Sequence, residues 1–443
     1  LSNNQQQDMT KQANSLRREI GIFGAVMMGL GAIIGTGIFV GIGDAARVAG
    51  PWVILSIAVA ALVASLNAMS SAQLAAAHPV SGGTYEYGYR WLHPSLGFTA
   101  GWLFLCAKSA SAATAALGCA GYALRYLKMN TEPIQVPTAL FCLFVVIAIV
   151  LMGIRLSNAL NTFVVSITLA SLLVFTTAGV LSLVFSESRP LPSPLEIPET
   201  STASWEGILE GCALMFVAYT GYGRIATMGE EARNPSKNIP TAILLTLGVA
   251  MLVYLMVAWI SIGTVGAQTL GDNSLTKGAP LEMVASHFTT PWVKDVVAFG
   301  AMTSMLGVLI NLALGLSRVV LAMGRRGDLP SALSRIDEAR NSPKNAVIAV
   351  GFLIALLILI GNIKLTWSLS AFTVLIYYAI TNLAALRMSE HERRYPRILA
   401  LLGLLACLFL AYWVDPSIWI VGLGLIGVGL LWWRFGKHYL SGT

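Results

Sequence analysis

The stretch Gly29-Leu30-Gly31-Ala32-Ile33-Ile34-Gly35-Thr36-Gly37-Ile38-Phe39-Val40-Gly41 places five glycines in thirteen residues of otherwise apolar sequence. Each weakens a helix by about 1 kcal/mol relative to alanine, so five are hard to reconcile with an uninterrupted helix. Small residues also let helices pack closely inside a membrane. The trio Gly35-Thr36-Gly37 does something further, because it falls in the middle of the apolar run. Without a Cβ and with φ unrestricted, such a segment unwinds and exposes its N–H groups. Those amides, at the start of the following half-helix, are suited to a carboxylate. The reading is a helix broken at Gly35–Gly37.

The apolar run is one of many. The 443 residues are 56% hydrophobic and only 11% charged, with a mean hydropathy of +0.73, whereas soluble domains carry about 25% charged residues. That composition excludes a cytosolic enzyme, a disordered chain, a collagen-like fibre and a disulfide scaffold. Apolar runs bounded by charge or turn residues predict twelve spans, near 22–48, 51–77, 95–127, 138–154, 158–186, 206–231, 240–266, 291–323, 345–361, 366–386, 397–413 and 417–435. Pro51, Pro240 and Pro291 are read as helix starts, where proline's missing N–H is harmless. Span 95–127 exceeds an upright crossing and is expected to tilt. Ser186–Ser204 reads as an exposed loop, and Ala279–Phe288 as a short amphipathic helix.

Five cysteines lie scattered in apolar stretches without metal-ligand spacing, so neither a zinc site nor a disulfide framework is expected. Leu1–Glu19 has no apolar core, hence no cleavable signal peptide is expected; Met9 is a candidate start, with Leu1–Asp8 upstream of it. The net charge of +7 would suggest nucleic acid in a soluble domain. Here it reflects topology, and no nucleic-acid partner is expected. With the N-terminus inside, 19 of the 28 Lys and Arg fall on the cytoplasmic side and 7 outside. This bias predicts an integral multi-pass protein of an inner (cytoplasmic) or plasma membrane, both termini cytoplasmic. The sequence carries no signal for the oligomeric state.

A second interruption, Phe216-Val217-Ala218-Tyr219-Thr220-Gly221-Tyr222-Gly223, comes about five spans after the first. Matching breaks in the first spans of two five-span halves point to an inverted-repeat transporter with its site near the bilayer midplane. The expected architecture is an all-α polytopic membrane protein with twelve transmembrane helices. Residues 1–21 form a cytoplasmic segment, 22–186 and 206–386 the two inverted five-helix repeats, 397–435 two additional helices and 436–443 a cytoplasmic tail.

Four motifs in order give a specific resemblance: Gly31-Ala32-Ile33-Ile34-Gly35-Thr36-Gly37-Ile38-Phe39; Pro79-Val80-Ser81-Gly82-Gly83-Thr84-Tyr85; Ala218-Tyr219-Thr220-Gly221-Tyr222 running into Gly229-Glu230-Glu231-Ala232-Arg233-Asn234-Pro235; and Ser317-Arg318 followed by Ala322-Met323-Gly324-Arg325-Arg326-Gly327-Asp328-Leu329-Pro330. The chain resembles the amino acid–polyamine–organocation superfamily, whose fold resembles the bacterial leucine transporter. The resemblance implies that the amides of Gly35, Thr36 and Gly37 bind a substrate α-carboxylate. It implies that carbonyls of Ile33 and of Phe216, Val217 and Ala218, beside Gly221, bind the α-amino group. Either Tyr219 or Phe216 would close over the substrate, unless both serve ordinary packing.

Charges inside the spans refine this. No acidic residue sits at mid-span; the nearest are Asp44 and Glu210. A cationic substrate is therefore disfavoured, small neutral amino acids come first, and small Ala107 and Ala112 are expected to leave room in the pocket wall. The alternatives are a cationic amino-acid or polyamine carrier, or an acidic amino-acid carrier. Lys108, mid-span, costs at least about 2.5 kcal/mol to insert and is by default functional, unless it snorkels or is satisfied by neighbouring carbonyls. The family's span-5 lysine is replaced here by Thr168. Either Lys108 supplies the missing cation, reaching the span-1 break or the span-8 hydroxyls, or a sodium ion fills the gap with Thr303 or Ser304 as ligands. Sodium or proton coupling is thus expected, without a cofactor or resident metal. Arg224 is expected to pair with an acid or guard an inner gate, and Glu230 and Glu231 with Arg233 to form gate ion pairs. No nucleophile with a base, filter repeat or nucleotide-binding motif is visible, so an enzyme, a channel and an ATP-driven pump are disfavoured.

Overall fold

The computed structural model describes residues 18–129, 134–185, 204–227, 229–277, 279–337 and 342–436. The loop expected at Ser186–Ser204, apart from Ser204, lies outside the described residues, as do most of the N-terminal segment and nearly all of the tail. Among the described residues there is no strand, only two isolated bridges, Ile20 with Ala232 and Asp337 with Ser342. Among the described residues, eight segments are long and apolar enough to cross a membrane, and two shorter apolar helices accompany them. The chain is a polytopic, all-helical membrane protein.

Helix α1 (Ile22–Ile33) ends at the glycine cluster, and a wide-turn segment, Gly37–Gly41, leads into α2 (Ile42–Ala49). The predicted break is present. α3 (Val53–Ala77) returns across the bundle, and α4 (Thr84–Trp91), which starts at the end of the second motif, is a helix not foreseen from sequence. Then follow α5 (Pro94–Tyr126), α6 (Gln135–Leu151) and α7 (Ile154–Val184). The second half opens with α8 (Trp205–Tyr219), a single tight turn at Thr220–Tyr222 and α9 (Gly223–Ala226). It continues with α10 (Pro235–Val265), α11 (Ala267–Lys277), α12 (Pro280–Ala285), α13 (Val293–Arg325), α14 (Lys344–Ile358) and α15 (Ile363–Arg387), and α16 (Arg397–Tyr412) and α17 (Pro416–Leu431) close the chain.

Two expectations need correcting. Pro240 does not start a helix: α10 begins at Pro235, after Asn234 in a left-handed conformation (φ 44°), and Pro240 lies inside it. Asn tolerates that conformation and Pro235 fits the first helical position, so the earlier pair sets the boundary. α13 begins at Val293, with Pro291 in the turn before it. The amphipathic stretch Ala279–Phe288 carries the short helix α12 with Pro280 at its start, and α11 before it is a helix not foreseen from sequence.

Burial sorts the helices by composition. α5 packs along α13 and α15 at the centre, and the apolar windows of α5 and α13 are 94% buried although they are not the most hydrophobic. The very apolar segment Ile134–Leu151 is only 22% buried and Pro416–Phe435 only 17%. In a bilayer the outer helices face lipid, so the strongest hydrophobes go outward, while small and polar residues gather at helix contacts. The stripe Ala107–Gly118 of α5 is that small-residue seam. At 33 residues α5 is about 50 Å long against a core of about 30 Å, which requires tilt or overhang.

A polar tie joins the central α15 to α3 and α16. The Asn382 amide of α15 donates to Asn67 Oδ1 of α3 at 2.6 Å, and the Cys407 thiol of α16 approaches the same oxygen at 3.2 Å. Asn67→Ala removes the shared acceptor. It is expected to lower stability by about 1 kcal/mol, read as a fall in the unfolding midpoint in detergent with the helical content unchanged.

Candidate functional site

The two breaks meet. At the first, the Ile34 amide closes α1 on the Leu30 carbonyl at 2.7 Å, and the next backbone bonds run from Ile38 and Phe39 back to the Gly35 carbonyl at 3.0 Å. Between them lie the amides of Gly35, Thr36 and Gly37, where a helix start leaves its donors without a partner in the turn. Glycine is required here by proximity: a Cβ on Gly37 would sit 2.5 Å from Ala218 Cβ and 2.8 Å from Tyr254 Oη. One on Gly221 would strike the Ala32 backbone and lie 2.6 Å from Ile33 Cγ1. The broken helices therefore touch through positions that cannot carry a side chain.

Hydroxyls hold the carbonyls that the breaks release. Tyr254 of α10 donates to the Ile33 carbonyl at 2.5 Å and lies 3.2 Å from the Ala218 carbonyl, one proton serving both breaks. Ser304 donates to the Ile34 carbonyl at 2.6 Å and Tyr122 to the Phe39 carbonyl at 3.0 Å. Thr220 donates to the Val217 carbonyl at 2.7 Å. Lys108 Nζ donates to Thr220 Oγ1 at 2.8 Å and to the Thr220 carbonyl at 3.3 Å, with the Tyr377 ring centroid 6.0 Å away.

Where the breaks cross, a small cavity is lined by Ala32, Ile33, Thr36 and Gly37 of the first break and Val217, Ala218 and Gly221 of the second. Lys108 and Ser111 of α5, Val308 and Leu312 of α13, and Trp367 of α15 complete it. The space open to a water-sized centre is about 20 Å³, enough for a water or two and too little for an amino acid. No acidic residue lines it. Two lining groups, Thr36 Oγ1 and Trp367 Nε1, are buried without a hydrogen-bond partner among the described residues.

Of the candidates named from sequence, Ile33, Thr36, Gly37, Val217, Ala218, Gly221 and Lys108 come together here. Others do not. Gly35 packs on Val308, and Ala107 and Ala112 are buried off the cavity, Ser111 being the α5 residue that reaches it. Phe216 and Tyr219 turn away, onto Tyr378 (ring centroids 5.8 Å) and Tyr254 (4.9 Å). The helical period explains this: Val217 and Gly221, four apart, share the cavity face, and Phe216 and Tyr219, three apart, share another. Thr168 bonds its own helix at Val164, and Thr303 does the same at Phe299 and Gly300. Lys108 reaches the second break rather than the first break or the Thr303 and Ser304 hydroxyls.

The gate candidates also pair differently. Glu231 bonds Arg318 at 2.6 Å with both side chains buried, and Glu230 bonds Arg325 at 2.9 Å; Arg233 bonds through its backbone, its amide donating to the Ile20 carbonyl at 2.8 Å and its carbonyl accepting from Asn238 Nδ2 at 2.7 Å. The fourth motif thus contributes the cations, and α13 carries them to the second break. Glu86 pairs with Arg326 beside them, and Tyr85 donates to Asp328 at 2.7 Å. Among the described residues the Arg224 side chain pairs with no acid; its one hydrogen bond is to Thr227 Oγ1 at 3.3 Å. Sequence reasoning missed Ser111, Tyr254, Val308, Leu312 and Trp367, which are ordinary apolar-span residues until the bundle is assembled. A tyrosine or tryptophan with a polar tip in mid-span was the available signal.

Comparison with known proteins gives the family. The family model described as amino acid permease matches residues 24–439. The chain belongs to the amino acid permease family. An uncharacterised transporter of Mycobacterium tuberculosis H37Rv is 37% identical over 94% of this chain and 91% of its own. The branched-chain amino acid permease of Bacillus subtilis is 28% identical over 97% and 95%, and a methylthioribose transporter of the same organism 26% over 95% and 93%. The permease is a membrane transporter of amino-acid type and not an enzyme.

Gly37→Leu tests the contact between the breaks. A bulky side chain there meets Ala218 and Tyr254, so substrate binding and uptake should be abolished while the protein remains in the membrane. Uptake equal to wild type would remove this contact from the site.

Proposed function

We propose that this permease is a secondary-active carrier working by alternating access. It holds the α-carboxylate of an amino acid on the amides of Gly35, Thr36 and Gly37 and the α-amino group on carbonyls of the two breaks. The observation that carries the reading is the closed cavity at the crossing of those breaks, reached by unbonded donors and by no acid. In this reading the chain has twelve spans: α1–α7 over 22–186 and α8–α15 over 206–386 are inverted halves, each opening with a broken helix, and α16 and α17 are additional. The excess of Lys and Arg between spans on one side supports cytoplasmic termini in an inner or plasma membrane.

Small neutral amino acids fit best. The cavity walls contributed by Val217, Val308, Leu312 and Trp367 are apolar, and Lys108 repels a second cation. The branched-chain specificity in the name of one relative is compatible with aliphatic walls. An acidic substrate ranks second, and a cationic amino acid or polyamine last, for want of a carboxylate to receive it. Purified permease in liposomes should show counterflow of alanine and serine well above that of arginine or putrescine. Preferential counterflow of either cation overturns the ranking.

Coupling is read through two features. Ser304 on the Ile34 carbonyl is suited to a sodium ion between α1 and α13, and Lys108 on Thr220 to a proton. We favour Lys108 as the working cation, since it ties α5 to the second break as a bound ion would, and losing its proton removes the charge and weakens that tie. Lys108→Ala is expected to impair transport or abolish its pH dependence with expression largely intact. Wild-type rates with an unaltered pH profile, measured with and without sodium, would leave Lys108 a structural residue.

A further inference from the structure

A second small cavity lies beyond the first, toward the face that carries Ile20. Lys108, Gly221 and Leu312 line both. Its other walls are Phe104, Asn311, Gly315 and Arg224. The Arg224 side chain crosses α13 at Gly315, where a Cβ would stand 3.1 Å from Arg224 Cδ. Arg224 is only 3% exposed, and its Nε and Nη2 have no hydrogen-bond partner among the described residues. Glu231 and Arg318 are the charged groups that act on it, but Glu231 is bonded to Arg318 at 2.6 Å. Two buried guanidinium groups, Arg224 and Arg318, thus share the buried carboxylate of Glu231, and the buried Lys108 ammonium lies on the same cavity as Arg224. Such an excess is costly inside a membrane unless something compensates it. A water could serve the unbonded Asn311 Oδ1 but would leave the charge.

We propose that this cavity is an anion subsite between Lys108 and Arg224. It takes one carboxylate oxygen or a halide ion, since the space open to a water-sized centre is only about 10 Å³, room for a single such particle. With a carboxylate, it is a station on the inward path: the substrate leaves the amides of the first break and passes its negative end to Arg224 before release. That arm rests on the transport reading above; the halide arm does not.

The test uses purified full-length permease. Without amino acid, wild type is melted at constant ionic strength in sodium bromide or sodium gluconate. In liposomes, KM for alanine is measured separately on the two faces for wild type, Arg224→Gln and Arg224→Lys. If a halide fills the site, bromide raises the wild-type midpoint and Arg224→Gln loses the rise. If the substrate carboxylate fills it, bromide has no effect. Arg224→Gln then raises KM on the face carrying the N-terminus several-fold more than on the other, and Arg224→Lys restores part of the loss. Indifference to bromide together with equal KM changes on both faces, or none, overturns the subsite. Should Arg224→Gln fail to fold, the wild-type bromide shift and Arg224→Lys decide by the same outcomes. Absence of amino-acid counterflow in wild type would instead sink the transport reading and leave the bromide measurement standing.

Discussion

A helix broken inside a bilayer releases carbonyl and amide groups where no water can satisfy them, and each left unbonded costs several kcal/mol. The organisation of this permease around its centre follows from that constraint. Tyr254, Ser304, Tyr122, Thr220 and Lys108 each place a donor on a carbonyl at or beside a break. Of the helices outside the broken pair, α5, α10 and α13 supply clamps, and Thr220 belongs to the second break itself. Tyr254 is the most connected, since one hydroxyl spans both breaks.

The clamps bear on movement as well as stability. Any rearrangement that enlarges the central cavity must stretch or exchange these bonds, and in the proposed binding mode an amino acid offers the replacement groups: an ammonium for carbonyls and a carboxylate for amides. Exchange of this kind keeps the backbone satisfied in both conditions. The buried pair Arg318–Glu231 and its neighbours Arg325–Glu230 and Arg326–Glu86 work in the same way at one face, joining α13, α4 and the segment after α9. Charges held at such short range in an apolar surround separate only when water or another ion takes their place.

Much of this was legible in the residues. The break at Gly35–Gly37, the mid-span Lys108 and the break beside Gly221 each violate a local rule for an apolar helix, and a violation is visible without neighbours. What was illegible depended on rotation and partnership. Phe216 and Tyr219 looked like gates because they are aromatic; one helical turn decides that Val217 and Ala218 face the cavity instead. Thr303 and Ser304 are adjacent, yet about 100° of rotation puts one on the Ile34 carbonyl and leaves the other on its own helix. Arg233 looked the natural partner for the glutamates, but Arg318 and Arg325 reach them from about ninety positions along the chain.

Sequence by itself determined the class of the protein, the position of its two breaks, and the scarcity of carboxylates within the spans, because composition, glycine placement and charge are properties of single positions. The tertiary structure decided which side chains line the cavity, which hydroxyls clamp the carbonyls, that Lys108 serves the second break, and that Arg224 pairs with no acid among the described residues. Those are properties of pairs. In a bilayer, where nearly every span is apolar, hydrophobic periodicity no longer marks the buried face of a helix, so only packing can choose the partners.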